Sequence, residues 1–167
     1  MTFLRELRSA SLKVAEECRE IAKSMSREYV GESEATYLAM LYKELSDRLD
    51  IGRVGSSGAL SLEFSSKKYL KPRGRIDLVF SQNGAYTTGQ LEGAIVEVAP
   101  IWGENMTNER REKISGDIEK LEEVRKRLPE IELVLIVPAL GHKRPKQKDL
   151  AWVNTACKKG KIESMIC

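Results

Sequence analysis

The chain has a single histidine, His142, in 167 residues. That excludes metal centres built from several imidazoles and leaves little for histidine-based acid–base chemistry. Three cysteines, Cys18, Cys157 and Cys167, are far apart and odd in number. They form neither a disulfide framework nor a metal-ligand pattern and read as reduced thiols, with Cys18 packed on a helix. No apolar run approaches the roughly 20 residues of a transmembrane helix, so no membrane role is expected. The first residues, Met1-Thr-Phe-Leu-Arg-Glu-Leu-Arg8, mix charge into their apolar positions, unlike a secretory signal. The protein is expected to stay inside the cell, in the cytoplasm. Neither sign of charge dominates: the net charge is +3, too mildly basic to argue for nucleic acid by itself. With 41% hydrophobic and 32% charged residues, the chain reads as neither disordered nor membrane-embedded. Its length suits one domain, 1–167, with one sizeable core.

The distribution of charge carries more than the total. Lys67, Lys68, Lys71, Arg73 and Arg75 fall within nine residues that hold no acid. A second basic stretch opens with Lys143 and Arg144 and runs to Lys161, against Asp149 and Glu163. Either is readable as a solvated loop or as a track for phosphates. The first leads directly into an acid-bearing strand, which brings any bound phosphate near those acids.

Periodicity divides the chain into an N-terminal helix (1–30), a core (33–138) and a basic C-terminal extension (139–167). Residues 3–27 read as one long helix. Leu4, Leu7, Ser11, Val14, Cys18, Ile21 and Met25 step by three and four, a seam that packs either on the domain or on a second copy in a homodimer. Ser33 is a good N-cap for a second helix ending near Leu49. Gly52 and Gly55-Ser-Ser-Gly58 mark a loop, and no Gly-Lys-Ser or Gly-Lys-Thr follows to make it a phosphate loop. Strands are expected near 58–65, 75–80 and 93–99, with a turn at Asn83-Gly84. Thr107 or Asn108 caps a helix running to about Leu128, and Ile131–Pro138 is a buried strand. A short helix over 147–158 and a short strand over 161–166 follow. This order gives an α/β fold: a mixed central sheet with an αβββαβ core flanked by helices, plus the long N-terminal helix. A helix between the third and fourth strands makes that pair parallel.

Two of the strands carry an acid where burial is expected: Arg75-Ile-Asp-Leu-Val-Phe80 and Ala94-Ile-Val-Glu-Val-Ala99. A buried carboxylate is costly unless a metal, a base or hydrogen-bond donors neutralise it. Asp77 and Glu97, on neighbouring strands, are therefore a candidate divalent-metal pair. The idea requires that the strands bring them together and that no base already neutralises them. At about 100° per residue, Glu34 lies on the same helix face as Leu38, Leu41 and Leu45. It reads either as a third acid of the site or as a first-turn acid favoured by the helix dipole.

Ser33-Glu-Ala-Thr-Tyr-Leu38, Leu62-Glu-Phe64, Gly74-Arg-Ile-Asp-Leu-Val79, Ala94-Ile-Val-Glu-Val98 and Gly116-Asp-Ile-Glu-Lys-Leu121 together resemble the PD-(D/E)XK, or restriction-endonuclease-like, nuclease superfamily. The resemblance spans 33–138. It implies that Glu34, Asp77 and Glu97 hold Mg²⁺ or Mn²⁺ and that the chain hydrolyses phosphodiester bonds, in DNA more often than RNA. One position departs from the family pattern. The family's lysine, two residues after the glutamate, is here Ala99, followed by Pro100. That lysine helps with the attacking water and with the charge that develops on the phosphate.

The helix after the third strand offers substitutes. Lys113 and Lys120 both flank its apolar face and can reach toward a site, Lys113 from closer to that face. Arg75 shares a strand face with Asp77 and can lend charge but not act as a base. Trp102 reads as packing or as a platform for a base. The expectation is a metal-dependent nuclease-like domain with Glu34, Asp77, Glu97 and Lys113 at its centre. Its rivals are a nucleic-acid-binding module that no longer cuts and a structural or partner-binding dimeric domain.

Overall fold

A computed structural model describes residues 3–24, 33–51, 58–64, 75–82, 93–141 and 143–167, with the backbone alone at Glu63 and Phe64. The elements run α1 (Phe3–Ser24), α2 (Glu34–Arg48), β1 (Ala59–Phe64), β2 (Ile76–Ser81), β3 (Gly93–Val98), α3 (Asn108–Arg127), β4 (Glu132–Val137), α4 (Gln147–Lys159) and β5 (Glu163–Ile166). The strands form one sheet in the order β1-β2-β3-β4-β5. The first three pair antiparallel, and β3, β4 and β5 pair parallel. The architecture is thus the expected α/β fold with a mixed sheet, and α3 is the crossover that makes β3 and β4 parallel. The segments 25–32, 52–57, 65–74 and 83–92 lie outside the described residues, and with them the turn expected at Asn83-Gly84.

Side-chain alternation along β3 and β4 splits the core in two. Ala94, Val96 and Val98 of β3 and Val134 and Ile136 of β4 pack with α1 and α2. Ile95 and Ala99, with Leu133, Leu135 and Val137, pack with α3 and α4. Strands buried on both faces are why these segments read as continuous apolar runs rather than alternating ones. The helix starts follow local chemistry. Ser33 Oγ accepts from Thr36 N at 3.1 Å, and Thr107 Oγ1 accepts from Arg110 N at 3.2 Å, each satisfying a first-turn amide.

The seam on α1 is covered within the chain. Leu7, Val14 and Cys18 are buried in the core shared with α2 and the sheet, and the ring of Phe3 stacks on Phe80 at 4.2 Å. The buried stripe also takes in Ala10, Ala15 and Ala22, while Leu4 and Ile21 sit at its edges. Among the described residues, no helix is long and apolar enough to cross a membrane.

Leu7 is fully buried between α1 and the rest of the chain. Leu7→Ala should cost about 2–5 kcal/mol in urea unfolding, with a midpoint independent of protein concentration. A midpoint that moves with concentration would mean that the seam holds two copies together instead.

Candidate functional site

The backbone ladder between β2 and β3 runs from Ser81↔Gly93 to Leu78↔Val96. One step further that register would set Asp77 opposite Glu97. There the ladder changes character: the Val98 amide donates to Asp77 Oδ2 at 2.8 Å. A carboxylate takes the place that a strand carbonyl would fill, and β2 shifts with it. Leu78 and Phe80 face the α1–α2 side, yet Ile76 belongs to the α3 side. The two strand acids therefore meet where the paired strands part.

Glu97 is fully buried. Its Oε2 accepts from Lys120 Nζ at 2.7 Å, whereas Oε1 is buried with no hydrogen-bond partner. Desolvation, reinforced by the neighbouring Asp77 charge and opposed by Lys120, pushes its carboxyl up to about 9. Burial thus favours the protonated form of Glu97, and Lys120 opposes it.

Two further elements, α3 and α2, bring charge to the same place. Helix α3 presents two lysines, each with three acceptors around its ammonium. Lys113 Nζ meets Val98 O at 3.2 Å, Glu34 Oε2 at 3.0 Å and Asp117 Oδ2 at 3.1 Å. Lys120 Nζ meets Glu97 Oε2, Arg75 O at 2.9 Å and Asp117 Oδ1 at 3.5 Å. Burial works against both ammonium groups, but the surrounding carboxylates outweigh it and raise both above the usual lysine value. They are therefore charged and unsuited to abstracting a proton. Glu34 enters from the first turn of α2, with its pKa raised mainly by burial and lowered in part by Lys113. Arg110 lies 3.8 Å from Glu34 Oε2.

The sequence candidates thus divide clearly. Glu34, Asp77, Glu97, Lys113 and Lys120 come together. The sequence favoured Lys113 over Lys120, but the structure puts Lys120 on the strand glutamate and Lys113 on the helix acid. Ala99, at the position of the family lysine, is fully buried against α3 and α4. Arg75 is exposed at the start of β2, and its carbonyl binds Lys120. Lys67, Lys68, Lys71, Arg73 and His142 lie outside the described residues. Lys143 and Arg144 are exposed, and Lys143 approaches Glu104 at 4.0 Å.

Sequence reasoning missed Asp117, which is 7% exposed and bridges the two lysines. Its signal was present: an acid within the apolar stripe of α3, four residues after one lysine and three before the other. It also missed Arg110, whose guanidinium lies over Trp102 at 4.3 Å.

The condition that no base neutralise the strand acids is not met at Glu97: Lys120 pairs with its carboxyl, while the second oxygen has no hydrogen-bond partner. Among the described residues, no group of three or more His, Cys, Asp or Glu side chains is gathered closely enough to hold a metal ion. The donors that do converge are hard carboxylate oxygens, the kind that suits Mg²⁺ and Mn²⁺. Mg²⁺ commonly takes one or two carboxylates and completes its shell with water and substrate phosphate, so the Asp77–Glu97 pair fits such an ion.

No family model, curated protein or solved structure matches this chain.

The raised carboxyl of Glu97 makes a prediction about stability. Its folded value, about 9, lies above its unfolded value, so the folded state binds the proton more tightly. The stability this confers is full below the unfolded value and is lost as pH rises through the folded one, between about pH 5 and pH 9. Glu97→Gln keeps the shape of the protonated acid and cannot ionise. Its unfolding free energy should fall less between pH 5 and pH 9 than that of the unmodified protein, by on the order of a few kcal/mol. Parallel pH profiles in urea unfolding would contradict a buried, proton-holding Glu97.

Proposed function

We propose that this chain is a nuclease-like domain that hydrolyses phosphodiester bonds, in DNA, with Mg²⁺ or Mn²⁺ as cofactor. The observation that carries the reading is the buried, unpartnered Oε1 of Glu97 beside Asp77 at the point where β2 and β3 part. An orphaned carboxylate oxygen costs a fold stability and is retained where something else binds it. The resemblance to the PD-(D/E)XK superfamily assigns the same residues independently of that burial.

Asp77 and Glu97 would hold the ion, with Glu34 as the group that orients the attacking water. Bound there, a divalent ion would make its water easier to deprotonate and set positive charge against the phosphate oxygens. The chain's own part is electrostatic. Lys113 and Lys120 are fixed by carboxylates and carbonyls and remain charged, so they offer positive charge to the phosphate as negative charge develops on it. Either can stand in for the lysine replaced by Ala99 in that role alone. The basic stretches 67–75 and 143–148 would track the backbone of the nucleic acid. An intracellular location belongs to the same proposal.

A second reading is favoured by a specific observation. Lys120 already pairs with Glu97 at 2.7 Å, and the lysine position of the family is a buried alanine. A domain that binds nucleic acid without cutting it would tolerate both. Incubation with Mg²⁺ or Mn²⁺ on duplex, single-stranded and branched DNA separates the two. The nuclease reading expects cutting that EDTA stops and that Asp77→Ala or Glu97→Ala lowers at least a hundredfold without loss of fold. Salt-sensitive binding without cutting would favour the second reading. Full activity in both variants would refute the site.

A further inference from the structure

We propose that the cleft beside the stacked Trp102 and Arg110 side chains is a nucleotide subsite, taking one nucleotide of an unpaired DNA strand beside the acid–lysine cluster. The phosphate would face the Arg110 guanidinium, and the base would lie against the apolar wall of Trp102 and Met106. The proposal rests on the nuclease-like reading of the neighbouring acids and names the form of strand that they would receive.

The cleft has a volume of about 340 Å³ and opens where the chain leaves β3 and enters α3. Its walls include Ile101, Trp102, Met106 and Thr107, with one acid, Glu109, and one base, Arg110. A cavity at the small end of the ligand-site range encloses one nucleotide, not a base-paired duplex. Its chemistry suits such a guest: Ile101, Met106 and the indole supply apolar surface, and the guanidinium beside them supplies positive charge. Arg110 lies over the Trp102 ring, and its Nη1 is buried with no hydrogen-bond partner. Glu34 Oε2, at 3.8 Å, balances its charge from beyond hydrogen-bond reach. A phosphate oxygen would supply the missing acceptor, and a planar guanidinium matches it in a two-point geometry.

The cleft is also preformed. Ile101 N donates to Pro138 O and Leu140 N donates to Ile101 O, both at 2.9 Å, so the segment after β3 is stitched to the segment after β4. Gly141 packs on the Trp102 carbonyl so closely that a side chain there would collide with it. On the far side Asp149, 2% exposed, is ion-paired with Arg111 and accepts from Met106 N at 3.2 Å. Lys146 N donates to Glu104 O at 2.9 Å. None of these contacts is needed to place Asp77 or Glu97. Together they hold open a rigid wall next to Glu34, which Arg110 and Lys113 both approach. Binding to such a site costs little reordering.

The test uses the full chain carrying Trp152→Phe, which leaves Trp102 as the one tryptophan. Single-stranded oligothymidylate is titrated while Trp102 emission is followed, and a blunt duplex serves as the comparison. The expected result is quenching by the single strand and little by the duplex. Arg110→Ala should weaken single-strand binding about tenfold at an unchanged melting temperature, with Arg110→Lys intermediate. Binding that leaves Trp102 emission unchanged, equal affinity of Arg110→Ala, or no binding of the oligonucleotide would each overturn the subsite. Metal-dependent cutting is scored separately on the same proteins. Cutting that is indifferent to Arg110→Ala removes the subsite and leaves the nuclease reading. Quenching without any cutting keeps the subsite and removes the nuclease reading.

Discussion

The structure turns on the burial of Glu97 under α3, where Lys120 reaches one oxygen of its carboxyl. A carboxyl with no exposure in the centre of a sheet is costly to ionise, and a single ammonium meets only half of its hydrogen-bonding capacity. The rest of the site can be understood as a response. Asp117 bridges Lys120 and Lys113, Lys113 continues to Glu34 and to the end of β3, and Arg110 extends the chain of charge toward Trp102. Helix α3 is thereby tied to β2, β3 and α2 by polar contacts on the same side on which Ile114, Ile118 and Leu121 tie it by apolar ones.

Such a network is a weak source of net stability. Replacing a buried ion pair with well-packed apolar residues is often neutral or favourable. A fold that needed only to stand would gain from an apolar residue at position 97, as at Ile95 and Ala99 on the same strand face. Retaining the acid, orphaned on one oxygen and beside a second acid, is an arrangement with a use. Fixed positive charge close to a carboxyl pair is what phosphate chemistry requires. The neighbouring cleft adds an apolar wall with a guanidinium stacked on its indole.

Much of this was legible in the sequence because it is local. The caps of α2 and α3 follow from Ser33 and Thr107, and the burial of β3 and β4 follows from their unbroken apolar runs. The nearness of Asp77 and Glu97 followed from two adjacent strands each carrying one acid. What escaped depends on how α3 lies across the sheet. Lys113 and Lys120 are seven residues apart, about two turns, and the helical wheel ranks them only by angle to the apolar face. Which lysine meets which acid is set by the height of α3 along β3, and wheel angles do not contain it. The same height decides that Asp117 bridges the two lysines. The Trp102–Arg110 stack escaped for the same reason, since it depends on how the segment after β3 bends back over the first turn of α3. The basic run over 67–75 was the plainest feature of the charge pattern, yet only Arg75 of it lies within the described residues.

The most direct test of the account is calorimetric titration of Mn²⁺ into the metal-free protein, alone and with Asp77→Asn or Glu97→Gln. The account predicts saturable binding in the unmodified protein that each substitution weakens at least tenfold. Binding unaltered by either substitution, or no binding at all, would contradict the claim that this carboxyl pair is a cation site.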